Sequence, residues 1–260
     1  MNLLMIGDVM GKPGRRAVAH LVPGLRRELS LDLVIANGEN LAAGRGLTES
    51  TAQDLFDVGV DVITSGNHVW DQREIMPVLD QEVAIIRPLN YPPGAPGRGV
   101  VTEKGVSVMN LQGRTFMTDI DCPFRGADAA LAALPSDALV VVDMHAEATS
   151  EKVAMGRYLD GRVAAVFGTH THVATADARL LPGGTAYVTD AGMTGPRESV
   201  IGNEIEAVIR RFLTGMPTRM PVADKSLELQ FNAVLVEIDE STRRAKSIQR
   251  VDRVYCRDAE

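Results

Sequence analysis

Short, nearly continuous apolar runs recur along the chain, and each ends in a polar cluster. Leu3–Ile6, Asp32–Ala36, Val60–Thr64, Val83–Ile86, Ala138–Asp143 and Val163–Phe167 are such runs. Their length and their bounding turn residues predict buried strands. Between them the pattern is helical. Gly11-Lys12-Pro13-Gly14 opens a helix to about Glu28, with Pro13 suited to its first turn and Pro23 as a kink or a break. Thr48 caps a helix from about Glu49 to Val58 that Gly59 stops, as a hydroxyl N-cap and a C-terminal glycine do. A short helix precedes Val83, and further helices are expected over Ala127–Leu134 and Ser150–Leu159.

The second half departs from simple alternation. Val100–Asn110 reads as a tight strand pair, Pro88–Gly99 as a loop and Leu111–Phe124 as a long polar loop. Asp177–Thr189 reads as a hairpin turning at Pro182-Gly183-Gly184. Asn203–Leu213 places Ile205, Val208, Ile209 and Phe212 on one helical face. Two long strands, Leu227–Ile238 and Arg244–Tyr255, close the chain. Strands alternating with helices predict an α/β fold with mixed sheets. With no repeat or linker, a single domain over residues 1–260 is expected.

Composition narrows the partners. A 45% hydrophobic, 23% charged chain of 260 residues is ordinary for a globular protein that buries a full core. A net charge of -7 argues against capture of duplex nucleic acid, which needs a basic face, but leaves room for a small anion at a local positive site. Cys122 and Cys256 have no metal-like spacing, so free thiols in a reducing compartment are expected. No signal peptide and no apolar run of ~20 residues is seen, so the expected location is the cytoplasm, away from membranes.

Candidate chemistry concentrates where the predicted strands end. Gly168-Thr169-His170-Thr171-His172 follows the run at Val163–Phe167. Two histidines one residue apart at a strand end can point the same way, because strand side chains alternate. Asp8, Glu39-Asn40, Asn67-His68 and His145 also follow strands. Parallel strands of one sheet would bring all of them to one edge. Each alone is explained as a turn or a cap; together they predict a metal site. Other features are set aside. Gly7-x-x-x-Gly11-Lys12 lacks P-loop spacing, with Pro13 where Ser or Thr should stand. Gly44-Arg45-Gly46 opens no helix, His20 lies mid-helix, and Asp119 with Asp121 reads as surface charge. Asp143 is either structural or a support for His145.

Carboxylate, amide and imidazole donors without thiolate suit iron, manganese or zinc. Seven candidate ligands exceed what one tetrahedral ion needs. Two ions about 3.5–4 Å apart would activate a bridging water and clamp a phosphoryl group. With Asp8, Glu39 and a hydroxide they leave a charge of about +1, a local anion site.

Gly7-Asp8, Gly66-Asn67-His68 and Gly168-Thr169-His170-Thr171-His172 resemble the ordered motifs of the calcineurin-like metallophosphoesterases. More narrowly, Gly7–Gly11, Asn37–Asn40, Gly66–Asp71, Asp143–Lys152 and Thr189–Pro196 resemble the YmdB-type phosphodiesterases. Met10 stands where the superfamily has a histidine ligand, and Glu39-Asn40 where it has a bridging aspartate; both departures match the subgroup.

The resemblance implies a four-layer α-β-β-α sandwich of two mixed sheets, with a dinuclear metal site at the strand C-terminal ends. By motif position it implies Asp8, Glu39, Asn40 and His172 on one metal. Glu39, Asn67, His145 and His170 take the other, with Glu39 bridging. His68 would bind no metal and would protonate the leaving oxygen; its alternative is a hydrogen bond within the Asn67 turn. The implied activity is hydrolysis of cyclic nucleotides, most of all 2',3'-cyclic nucleotides to 3'-nucleotides, by a metal-bridging hydroxide with two iron or manganese ions. A phosphomonoesterase and a non-catalytic nucleotide-binding regulator stay open as alternatives. So do the native metal, the physiological substrate and homo-oligomer formation.

Overall fold

The computed structural model describes residues 1–257. In chain order the elements begin β1 (Asn2–Ile6), β2 (Asp8–Val9), α1 (Gly11–Glu28), β3 (Leu33–Asn37), α2 (Glu49–Phe56) and β4 (Val62–Thr64). A 3-10 turn (Arg73–Ile75) and α3 (Met76–Leu79) follow, then β5 (Val100–Glu103), β6 (Val106–Gln112), α4 (Pro123–Ala133), β7 (Leu139–His145) and α5 (Thr149–Tyr158). The remainder is β8 (Ala165–Thr169), β9 (Arg179–Leu180), β10 (Ala186–Val188), β11 (Met193–Pro196), α6 (Ile205–Thr214), β12 (Glu228–Asp239) and β13 (Arg244–Cys256).

Two mixed sheets result. In the first, β1, β3 and β4 run parallel, while β12 lies antiparallel to β1, β11 and β13. Because β13 pairs along the whole of one edge of β12, β11 and β1 share the other. In the second, β6, β7, β8 and β10 run parallel, with β5 and β9 antiparallel at the two edges.

Strand alternation builds the layers. Leu4 and Ile6 of β1 pack in one cluster with Val18, Val22 and Leu25 of α1 and with Ala52 and Leu55 of α2. Leu3 and Met5, pointing the other way, pack with Val106 and Val108 of β6 and Phe167 of β8, between the sheets. Val140, Val142 and Val166 face outward from the second sheet and join Ala127 of α4 and Met155 of α5. The order is therefore helices, sheet, sheet, helices.

Several local expectations hold. Thr48 caps α2, its hydroxyl accepting from the Thr51 amide at 3.2 Å. Pro23, read as a kink or a break, does not break α1, which runs unbroken from Gly11 to Glu28. The hairpin at Pro182-Gly183-Gly184 forms between β9 and β10. His20 stacks on Tyr255, with ring centroids 3.9 Å apart, as a packing residue. Asp119 and Asp121 are exposed.

Others are corrected. Val83–Ile86 is no strand: only Ile85 forms a parallel bridge, to Ile63. The ladder cannot continue, because the Arg87 amide turns to the Arg98 carbonyl and Pro88 has no N–H. The short strands β2 and β11, which pair in parallel, carry no apolar run that would reveal them. The apolar face of α6 does not enter the core. Val208 is 6% exposed, but Ile205, Ile209 and Phe212 are 41%, 49% and 84% exposed. Among the described residues no helix is long and apolar enough to cross a membrane.

Candidate metal centre and active site

The strand ends of both sheets, not of one, supply the cluster. β1 leads to Asp8, β3 to Glu39 and Asn40, and β4 to Asn67 and His68, all from the first sheet. β7 ends on His145, and β8 leads to His170 and His172, from the second. The sheets meet there through buried polar contacts. Asn37 donates to Asp143 Oδ2 at 3.2 Å, and the His170 amide donates to Asp8 Oδ2 at 3.1 Å.

His170 and His172 are brought together by the loop rather than by strand alternation. β8 stops at Thr169, and both histidines take positive φ, 99° and 63°. Such backbone costs roughly 1–3 kcal/mol per residue and needs surrounding support. The support is a buried ion pair: Lys152 Nζ lies 2.7 Å from Asp190 Oδ2, with both side chains 1% exposed. The same carboxylate oxygen accepts from the Thr171 amide at 3.1 Å and hydroxyl at 2.8 Å, pinning the residue between the histidines. In the sequence both residues stand within motifs without a role of their own; a lysine one turn into a helix looks solvated. Replacing Lys152 with methionine strands the Asp190 charge in the core. Urea unfolding is expected to show a loss of about 3–5 kcal/mol, and an unchanged midpoint would refute the support role.

His145 is the centre of one half. Its Nδ1 lies 3.0 Å from Thr169 Oγ1. That hydroxyl already donates to Asp143 Oδ1 at 2.6 Å, so Nδ1 must be the donor, and Nε2 is the atom that carries the lone pair when His145 is neutral. Asp143 thus supports His145 through Thr169. Nε2 faces Glu39 Oε1 at 3.2 Å, Asn67 Oδ1 at 3.1 Å and His170 Nδ1 at 3.0 Å. His170 Nε2 is 3.1 Å from Glu147 Oε2, and its Nδ1 is the ring nitrogen turned to His145. Gly66 permits the approach, since a Cβ there would stand 2.2 Å from His145 Nε2 and 2.5 Å from Glu39 Oε2.

The other half surrounds Asp8. Its Oδ1 is buried with no hydrogen-bond partner. It lies 3.8 Å from His172 Nε2. His172 Nδ1 donates to the Ile201 carbonyl at 2.9 Å, so Nε2 again offers a lone pair. Asn40 turns its NH₂ to His172 Nε2 at 3.2 Å and to Glu39 Oε1 at 3.4 Å. Presenting the carbonyl oxygen instead takes a half-turn of the amide. Met10 is buried against Met193 and Val222 and lines the cavity beside Asn40.

These donors fit a cation. Once His145 is neutral, donor atoms of Glu39, Asn67, His145 and His170 converge, and donors about 2.1 Å from a shared ion stand roughly 3.0–3.4 Å apart. Glu39, His145 and His170 alone offer ligand atoms all within 4.8 Å of one another. The orphaned Asp8 oxygen is the second sign, because a buried carboxylate without a partner is costly.

Electrostatics agree. Burial opposes the charged form of His145, but Glu39, then Asp8 and Asp143, outweigh it and push its pKa up to about 9. Burial also opposes the Glu39 carboxylate, yet His145 and then His68 hold it well below the usual carboxylate range. Burial raises Asp8 to about 6 against the pull of His172 and His145. Burial and then the His145 charge lower His170 to about 3. Without metal, His145 therefore holds a second proton, on Nε2, at neutral pH, and a metal must displace it. Calorimetry in buffers of different ionisation enthalpy is expected to show about one proton released from His145 per metal bound there at pH 7–8. The release fades above pH 9, where the imidazole is already neutral. Release that does not change with pH would refute the displacement.

His68 stands apart from the metal donors. Its amide donates to Glu39 Oε2 at 3.0 Å, and its ring Nδ1 lies 2.9 Å from Asp71 Oδ2. The ring partner is thus Asp71, a residue whose role the sequence did not disclose. His68, Glu39, Asn40, His170 and His172 line one cavity of about 670 Å³, within the usual size of a small-molecule site.

A family model described as YmdB-like protein matches residues 4–251. A Bacillus subtilis (strain 168) protein named 2',3'-cyclic-nucleotide 2'-phosphodiesterase is 47% identical over 256 residues, covering 96% of both chains. The crystal structure of a hypothetical protein from Thermus thermophilus is 45% identical with a TM-score of 0.91, covering 98% of this chain and 99% of that one. A structure described as a novel phosphatase from Mycoplasma pneumoniae has a TM-score of 0.92 at 34% identity, covering 99% and 94%. The motifs, the fold and these matches agree: the chain belongs to the YmdB-like family of phosphoesterases.

Proposed function

We propose that the protein is a metal-dependent phosphodiesterase whose substrates are 2',3'-cyclic nucleotides and whose products are 3'-nucleotides. The observation that carries this reading is the convergence of donor atoms from both sheets beside a cavity lined by Glu39, Asn40, His68, His170 and His172. Resemblance to the Bacillus subtilis enzyme supports the substrate class. In this reading the span 1–260 is one catalytic domain.

Asp8, Glu39, Asn40 and His172 would hold one ion, and Glu39, Asn67, His145 and His170 the other. Oxygen and nitrogen donors without thiolate suit iron or manganese. When bound, such a pair supplies an activated water and neutralises charge on the phosphoryl group. Asp71 holds the His68 ring by Nδ1. That leaves Nε2 to deliver a proton to the 2' oxygen as the P–O bond breaks, and the phosphate stays on the 3' oxygen. Cys122 and Cys256 remain free thiols, which suits a reducing, cytoplasmic setting.

The test is a substrate panel with iron- or manganese-loaded protein, read by phosphorus NMR. Turnover of a 2',3'-cyclic nucleotide to the 3'-phosphate is expected. Predominant 2'-phosphate contradicts the orientation of His68. Turnover of monoesters alone makes the protein a phosphomonoesterase, and binding without turnover makes it a nucleotide-binding regulator.

A further inference from the structure

Three arginines from separate segments line the cavity. Arg45 lies in the loop between β3 and α2, Arg211 in the last turn of α6, and Arg219 in the loop after it. All three are exposed, and none makes an ion pair among the described residues. Two carboxylates also line the cavity, and both are engaged. Glu39 faces His145 at 3.2 Å, and Glu147 lies 3.1 Å from His170.

Three unmatched guanidinium groups around one cavity are out of keeping with a chain of net charge -7. Like charges gathered without counter-charge repel, and they are complementary to an anion. Guanidinium is the group that matches phosphate geometry through paired N–H donors. The loop carrying Arg45 is held in place: Gln72 donates to the Arg45 carbonyl at 3.0 Å. A Cβ on neighbouring Gly46 would stand 2.9 Å from the Gln72 backbone. The outward apolar face of α6 fits the same picture, since Arg211, off that stripe, lines the cavity.

We propose that Arg45, Arg211 and Arg219 form a second anion subsite, which takes a phosphoryl group carried on the 5' oxygen of the cyclic nucleotide. This rests on the reading of the site as a cyclic-nucleotide phosphodiesterase. The cyclic phosphate goes to the metal donors and His68, and the ribose carries its 5' oxygen toward the arginines. Apolar lining from Met10, Ala42, Ala43 and Ile201 offers surface for the nucleoside between them. Two sources carry this chemistry: a 5'-phosphorylated mononucleotide, and the 3' end of an RNA chain closed as a 2',3'-cyclic phosphate.

The experiment compares kcat/KM of metal-loaded protein on three substrates. They are adenosine 2',3'-cyclic phosphate, its 5'-phosphorylated form and the dinucleotide ending in the same cyclic phosphate. At least one of the two 5'-substituted substrates is expected to be preferred by about tenfold or more, the effect of a charge-assisted contact. Preference for the 5'-phosphate alone identifies a free nucleotide, and preference for the dinucleotide an RNA end. In Arg211→Ala/Arg219→Ala, and separately in Arg45→Ala, the preference should fall toward one.

Binding supplies an independent readout. Adenosine 3',5'-bisphosphate should bind about tenfold more tightly than adenosine 3'-phosphate, and the same variants should erase the difference. Equal kcat/KM on all three substrates with equal binding of the two products overturns the subsite. If no cyclic nucleotide turns over, the functional reading fails, and the binding ratio in wild type and variants still decides the subsite.

Discussion

Replacing His68 with alanine is expected to slow hydrolysis of a 2',3'-cyclic nucleotide by about 10²–10⁴-fold, the usual worth of general acid catalysis. The same variant should lose far less on bis(4-nitrophenyl) phosphate. A ribose alkoxide is a poor leaving group and needs its proton while the P–O bond breaks; a nitrophenolate does not. His68 hydrogen-bonds Glu39 through its backbone amide, which the substitution keeps, and its ring pairs with Asp71. Metal content should therefore survive the substitution. Asp71→Asn should give a smaller loss with the same substrate dependence, because it acts by holding the ring. Equal losses on both substrates, or loss of metal, would remove His68 from the role of acid.

Glu39→Gln should have the broadest effect. The side chain sits between the two halves of the cluster, with Oε1 3.2 Å from His145 Nε2 and 3.4 Å from the Asn40 amide. It is also the largest source of the upward push on His145. Glutamine keeps the shape and removes the charge. Both metals should then bind more weakly, and activity should fall by more than ~10²-fold, since even groups that only support ligands are worth 10–100-fold. Elemental analysis beside kinetics checks this, with circular dichroism to show that the fold persists. Full occupancy and full activity in the variant would show that Glu39 does not link the two sites.

Much of the frame was legible in the chain because it obeys local rules. Leu3–Ile6, Val60–Thr64 and Ala138–Asp143 are apolar on both faces and became parallel strands covered on both sides. Thr48 acts through its own neighbours, so its cap was readable. Where local rules compete with packing, the reading failed. Ile205, Ile209 and Phe212 recur at helical spacing and the helix forms, but periodicity says nothing about which side meets the body of the protein. Val83–Ile86 has strand composition, yet its hydrogen bonds are taken by Ile63 and its continuation is blocked by Pro88.

The candidate site divides the same way. The sequence by itself determined which residue types stand after each strand: Asp8, Glu39, Asn40, Asn67, His68, His145, His170 and His172. A parallel strand necessarily delivers the residues after it to its own end. Only the tertiary structure decided how these residues meet. It showed that two sheets, not one, contribute and that left-handed backbone at His170 and His172 replaces strand alternation. It also showed Thr169 passing the influence of Asp143 to His145, Asp71 holding His68, and Lys152 with Asp190 anchoring the histidine loop. These partners lie far apart in sequence or look like ordinary surface charges. A hydrogen bond or ion pair is set by the distance between folded segments, and that distance has no trace in the order of residues along the chain.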